Sequence, residues 1–543
     1  MVMKLPRIFL PVFLVLGVAL AVPATGPVHL VRIEKGAPGL ESLFRSRGLD
    51  IAQELKTCYI GRLDREEVSV LKSAGVPVTL LDRDIKGRIY YLVRPDSDRT
   101  TGVLSGRGKV AVLEPGQLLF WTPSGDGAGA IPASLSRKRL AASSVAPYLR
   151  SFPVPSVARS AVARDPLIGT IVNSVSRENL RALIKALQDF GTRRTGTPGC
   201  DASETFVVNY FDKQGLRAFV TYGALMGARS VVGELKGTNF PDDVVIVCAH
   251  LDSTSPEPDT LAPGADDDAS GTAAVMEAAR ILARHPTDYT VRFIAFTGEE
   301  QGLYGSQAYA IAAHGLKERI LGVVNLDMIA YADRMPEDLD IFVNSASEWM
   351  GYRIAQDAGE YAGLSVRTRV DPSMVYSDHA SFWDHGYAAL MAIEDEPLRN
   401  PHYHTTGDTL DTLNLDFCAQ ATRAALATTA VLAQPVRLGP APPQRLQAQS
   451  SFFSALLGTR KNVYLRWERG SGQASFNVYR TEIPHGFYQK ANEEPVQGST
   501  YADRGVTGGV TYYYAITAVD QAGVESNLSR EVEVLPMPPK QTP

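Results

Sequence analysis

Cysteine is scarce. The 543-residue chain has four, at positions 58, 200, 248 and 418, widely spaced and without a CxxC pair. That excludes a disulfide framework. Cys248 falls within an apolar run and reads as a small core residue, and one bridge among the other three stays open. A dominant charge of either sign is also missing. The net charge of −5 and a pI near 6.0 give no reason to expect a nucleic-acid or membrane-surface partner. Beyond the N-terminus no segment is apolar enough to span a membrane. The one such run, Ile8 to Leu20, follows Lys4 and Arg7 and ends at Ala19-Leu20-Ala21, a small-residue cleavage pattern, with Val22-Pro23-Ala24 the weaker alternative. It falls short of the ~20 residues of a comfortable transmembrane helix. A signal peptide over residues 1–21 and an exported protein are expected, and an uncleaved anchor is the competing reading.

A chain of this length, with 45% hydrophobic and 21% charged residues, is globular and exceeds one domain. Residues 27–122 alternate short strands (VHLVRIEK, CYIGRL, VPVTLLD, IYYLVRP, KVAVLEP) with the amphipathic helix REEVSVLKSAG. This is a small α+β unit without a catalytic cluster, either propeptide-like or a plain structural module. Residues 123–165 are rich in Gly, Ser, Ala and Pro and read as a linker, with the cluster Arg137-Lys138-Arg139 as solvated surface. Residues 166–435 alternate strands and helices, which predicts a doubly wound, mainly parallel α/β sheet. From 440 to 536, YLRWE, ASFNVYRT, YYYAITAVD and SREVEVLP predict a β-sandwich.

Polar residues in the α/β part collect where apolar runs stop. VVIVCAHLDS runs from Val244 into His250 and Asp252. Asp266, Asp267 and Asp268 precede a helical pattern from Ala269 to Arg284. Val291 to Phe296 leads into Glu299 and Glu300, and ILGVVNLDMI ends near Asp327. Open α/β sheets place ligands at this edge, and mixed His and carboxylate donors suit zinc or a similar divalent metal rather than an all-oxygen calcium site. Asp268 sits at the expected helix N-cap, which makes it structural.

AHLDS, PGADDDASG, TGEEQGLYGS, NLDM, SDHASF and HYHTTGDT together resemble, in order and spacing, the clan MH zinc exopeptidases. More narrowly they resemble the two-zinc aminopeptidases related to secreted bacterial leucyl aminopeptidases. The resemblance covers about Asp165 to Pro435. It implies two zinc ions per chain, one held by His250 and Asp327, the other by Glu300 and His404, with Asp267 bridging. It implies Glu299 as general base and acid, and Asp252 as the group holding the His250 imidazole. Tyr376, Asp378 and His379 match a motif near the substrate pocket. Relatives with a tyrosine and a small disulfide loop before that motif differ from DPSMVYSDH here, which has no cysteine. The YYYAITAVDQAG segment and a tryptophan on an early strand resemble a fibronectin type III module.

The resemblance implies a metallo-aminopeptidase acting on peptide or protein N-termini. A carboxypeptidase or a glutaminyl cyclase shares this fold and is the alternative. A catalytically inactive binding or adhesion protein is a third reading, disfavoured because every implied ligand and the general base are present.

Overall fold

The computed structural model describes residues 28–536, apart from 39, 48, 98, 124–126, 133–134, 141–163, 224–226, 335 and 456–457. The expected signal peptide and most of the expected linker lie outside the described residues. Among those described, no helix is long and apolar enough to cross a membrane.

An eight-stranded sheet forms the centre. Its order is Ser365–Val370, Asp338–Val343, Ala389–Glu394, Arg319–Leu326, Phe240–His250, Tyr289–Phe296, Arg229–Leu235, Arg217–Tyr222. The middle run from Ala389–Glu394 to Tyr289–Phe296 is parallel. Asp338–Val343 and Arg229–Leu235 flank that run antiparallel, Ser365–Val370 pairs parallel with Asp338–Val343, and Arg217–Tyr222 pairs antiparallel with Arg229–Leu235. The sheet is therefore mixed, with four of its seven strand pairs parallel. The edge strands lack the continuous apolar character of the middle ones, and Arg217–Tyr222 and Ser365–Val370 are half exposed.

The strand Phe240–His250 shows how the layers are assigned. Val245, Val247 and Ala249 enter one apolar core, while Val244, Ile246 and Cys248 enter another. This is the period of two expected for a strand buried on both faces. On the first face pack the helices Arg177–Gln188, Ala269–Leu282 and Leu415–Ala433. The second face meets Tyr304–Gly315 and His379–Trp383 together with Leu30, Ile60, Leu92 and Trp121 of the N-terminal unit. The N-terminal unit thus shares a core with the sheet.

That unit comprises two four-stranded antiparallel sheets. The second includes Arg137–Arg139, paired to Tyr90–Val93. The composition-based linker therefore contains a strand, and its basic cluster is not a solvated surface. Alternation turns Lys138 inward, where it is fully buried and donates to Asp384 at 2.7 Å and to Gln53 at 2.8 Å.

The C-terminal part has a three-stranded and a four-stranded sheet enclosing Val463, Leu465, Trp467, Phe476, Tyr514 and Ile516. All four cysteines are free and buried; no bridge forms among them.

Candidate active site

Three adjacent parallel strands deliver the site. Phe240–His250 ends at His250, Arg319–Leu326 is followed at once by Asp327, and Tyr289–Phe296 leads through Gly298 to Glu299 and Glu300. Gly298 turns this chain at φ +76°, a conformation that L side chains rarely adopt. Asp267 enters from the loop before Ala269–Leu282, and His404 from the loop after Ala389–Glu394.

Asp267 lies between the two imidazoles. Its Oδ1 is 3.0 Å from His250 Nε2 and its Oδ2 is 3.1 Å from His404 Nε2. Asp327 Oδ1 is 3.7 Å from His250 Nε2, and Glu300 Oε2 is 3.2 Å from His404 Nε2. Donor atoms of His250, Asp267 and Asp327 lie within 4.8 Å of one another, as do those of Asp267, Glu300 and His404. A third group, His250 with Glu299 and Glu300, meets the same distance.

All of these side chains are buried, and the clustering governs their protonation. Burial opposes charge on His404, but Glu300 and Asp267 override it and lift the imidazole to about 10. His250 is likewise raised despite burial, through Glu299 and the contacts to Asp267 and Asp327. Burial, with the nearby Glu300 and Asp327, pushes the Glu299 carboxyl well above the carboxylate range. Burial works the other way on Asp267, yet the two imidazoles hold it ionised below its ordinary value. The acids here outnumber the cations that the chain itself provides. That imbalance, together with a Glu300 Oε1 that is buried without a hydrogen-bond partner, suits bound divalent metal.

A supporting network fixes these groups. Asp268 caps the helix by accepting from Gly271 N at 2.9 Å, and also accepts from His250 N at 3.1 Å and Met328 N at 3.2 Å. Asp266 accepts from Ala330 N and from Asn400 Nδ2. Asp408, inside the HYHTTGDT motif but given no role from sequence, accepts from the amides of Asp266 and Asp267 at 2.8 and 3.0 Å. Arg193, fully buried, donates to the carbonyls of Leu251, Pro263 and Gly264 at 2.6–2.8 Å. It thereby ties the His250 strand end to the Asp266–Asp268 loop.

Asp252 meets His250 through its backbone. His250 Nδ1 donates to the Asp252 carbonyl at 3.0 Å, whereas the nearest carboxylate oxygen lies 3.8 Å away. The carboxylate instead accepts from the amides of Glu299 and Glu300 and from the Thr195 hydroxyl. Tyr376 reaches the cavity wall, donating to Gln117 Oε1. Asp378 and His379 are not among the lining residues. The His379 ring donates to the Met374 carbonyl at 2.8 Å and meets Trp383 edge-on.

A cavity opens above these groups. Met328, Met374, Met391, Ile393 and Leu398 form its apolar wall, and Arg94, Ser136 and Arg137 reach it from the N-terminal unit. Ser136 Oγ pairs with Tyr403 OH at 2.8 Å, and the Tyr403 ring stacks on His404 at 3.8 Å.

Residues 230–429 match the model of Peptidase family M28. A probable zinc metalloprotease of Pyrenophora teres f. teres is 27% identical over 367 residues, 56% of this chain and 74% of that protein. A probable leucine aminopeptidase of Trichophyton verrucosum is 26% identical over 301 residues, 51% of this chain and 79% of that protein. The crystal structure of the Legionella pneumophila LapA aminopeptidase superposes with a TM-score of 0.51 at 19% identity, over 64% of this chain and 98% of that one. At that identity the likeness concerns the fold.

Proposed function

We propose that the chain is an exported two-zinc aminopeptidase, because residues 230–429 match the model of Peptidase family M28 and relatives named as zinc metalloproteases resemble the chain. His250, Asp327 and Asp267 would hold one ion, and Glu300, His404 and Asp267 the other. Such ions, when bound, polarise a scissile carbonyl and lower the pKa of water. The observation that carries the reading is the position of Asp267, one oxygen toward each imidazole.

The chain's own residues do the rest. Glu299 stands beside this group, buried and with high proton affinity. It takes the proton of the attacking water and gives it to the amine that leaves when the C–N bond breaks. The amides of Glu299 and Glu300, pinned by the Asp252 carboxylate, fix where the two acids point. His250 is oriented by the Asp252 carbonyl, which sets the tautomer with Nε2 facing the site. The methionine-rich wall excludes water and favours an apolar substrate side chain. The N-terminal pattern of residues 1–21 supports export, and the C-terminal two-sheet unit is read as a fibronectin type III-like spacer.

The test pairs metal analysis with aminoacyl anilides and an N-acetylated control. Two zinc ions per chain and cleavage only of free N-termini are expected. Asp267→Ala should weaken both metal positions. Active protein holding at most one tightly bound metal refutes the bridging role, and release of C-terminal residues refutes the direction of cleavage.

A further inference from the structure

The cavity has two walls of different origin. The metal-side acids and the apolar residues Met328, Met391 and Ile393 come from the central sheet and its loops, whereas Arg94, Ser136 and Arg137 come from the N-terminal unit. Arg94 follows the strand Tyr90–Val93, and its backbone N–H donates to the Ser136 carbonyl at 3.0 Å. Arg94 and Ser136 are therefore cross-strand neighbours at the sheet end that meets the site, with Arg137 next along the chain.

Every hydrogen-bond partner described for these two guanidinium groups is neutral. Arg94 Nη1 meets the Met374 thioether at 3.8 Å, a weak acceptor. Arg137 donates to the carbonyls of Ile131, Pro132 and Glu300 at 3.1–3.3 Å, and its Nε is buried without a partner. Two divalent cations would offset Asp267, Asp327, Glu299 and Glu300. The charges of Arg94 and Arg137, the latter beside the Glu300 backbone, would then line the cavity with no carboxylate hydrogen-bonded to them. A planar, forked donor in that position suits a carboxylate.

We propose that Arg94 and Arg137 form a subsite for a substrate carboxylate. The peptidase then selects short peptides whose free carboxylate lies beside the scissile bond, with an apolar residue on the methionine wall. The same carboxylate could come from the peptide C-terminus or from an acidic side chain next to the cleaved bond. This deepens the aminopeptidase reading and rests on it for the assay.

The experiment compares leucyl-leucine with leucyl-leucinamide, and leucyl-aspartamide (free side-chain carboxylate, amidated C-terminus) with leucyl-asparaginamide. Zinc-loaded full-length protein and its Arg94→Gln and Arg94→Lys variants are used. The parent should prefer the carboxylate member of at least one pair by about ten- to a hundredfold in kcat/KM, the scale of a charge-assisted hydrogen bond. The pair that shows the preference names the source. Arg94→Gln should collapse the ratio, and Arg94→Lys should restore part of it. A parental ratio within twofold in both pairs overturns the subsite, as does an Arg94→Gln variant that loses activity equally on acid and amide. If Arg94→Gln does not fold, the parental ratio and the Lys variant decide. If nothing is cleaved, calorimetric binding of leucyl-leucine and leucyl-leucinamide decides. Tighter binding of the acid then supports the subsite while the aminopeptidase reading falls, and equal binding overturns the subsite.

Discussion

Lys138 offers the sharpest test of how the N-terminal unit is attached. Its ammonium is wholly buried, 2.7 Å from Asp384 Oδ1, and Asp384 is nearly as buried. Burial pushes the ammonium below its ordinary range while Asp384 resists, so the pair is held at a desolvation cost. Lys138→Met removes the cation and leaves Asp384 buried with its partner gone. Loss of one member of such a pair costs about 3–5 kcal/mol. At roughly 2–4 °C per kcal/mol for a domain of a few hundred residues, the melting temperature should drop by at least about 6 °C. Adding Asp384→Leu should recover much of the loss, because a well-packed apolar pair is often no worse than a buried ion pair. The assay is thermal and urea unfolding of the parent, both single variants and the double variant. A single variant within about 0.5 kcal/mol of the parent, the range of an ordinary surface change, refutes the reasoning. So does a double variant as unstable as the sum of the two singles.

Two further outcomes concern the acids. Glu299→Gln should keep its metals and lose about two to four orders of magnitude in kcat, whereas Glu300→Gln should lose activity together with one metal. Side-by-side kinetics and metal content check this, and parental turnover by Glu299→Gln would defeat the assigned mechanism. Asp378 supplies a pH test: burial pushes its carboxyl up to about 7, against about 3.9 in an unfolded chain. Between those values the unfolded chain ionises first, so this group lowers metal-free stability as pH rises from about 4 to 7, and the cost is complete above 7. Asp378→Asn should therefore stabilise the metal-free protein at pH 8 and change little at pH 4; equal effects at both pH values in denaturant melts would refute the assignment.

Much of the central sheet, and the gathering of the candidate site residues, was legible in the chain. Val244–Cys248 and Val291–Phe296 are continuous apolar runs because both faces of the middle strands are covered. The polar residues that end those runs sit side by side because the strands are neighbours. The N-cap role of Asp268 was readable from its place before Ala269, and the structure has it accepting from Gly271. The antiparallel pairings were not legible, since strand direction depends on the path of the connections and not on the pattern within a strand. Lys138 was misjudged for a related reason. A run of three basic residues in a Gly/Ser/Pro-rich region has the composition of surface, and its partner Asp384 stands 246 residues away. Arg193 and Asp408 were missed because their work is done on backbone groups, which leave no signature in residue type.

The relation between the N-terminal unit and the sheet bears on the propeptide-like expectation. Leu30, Ile60, Leu92 and Trp121 pack in one core with Val244, Ile246, Cys248, Ile294 and Phe296, every one of them buried. At about 25 cal/mol per Å² of apolar surface, uncovering that face would be expensive, and Lys138–Asp384 would be separated as well. Here Ser136 also fixes Tyr403, which stacks on His404, and Arg137 holds the Glu300 carbonyl. Two of the residues assigned to metal binding are therefore positioned in part by the N-terminal unit. Its removal should disorganise the site rather than unveil it, which favours an integral wall of the catalytic cavity over a leaving segment.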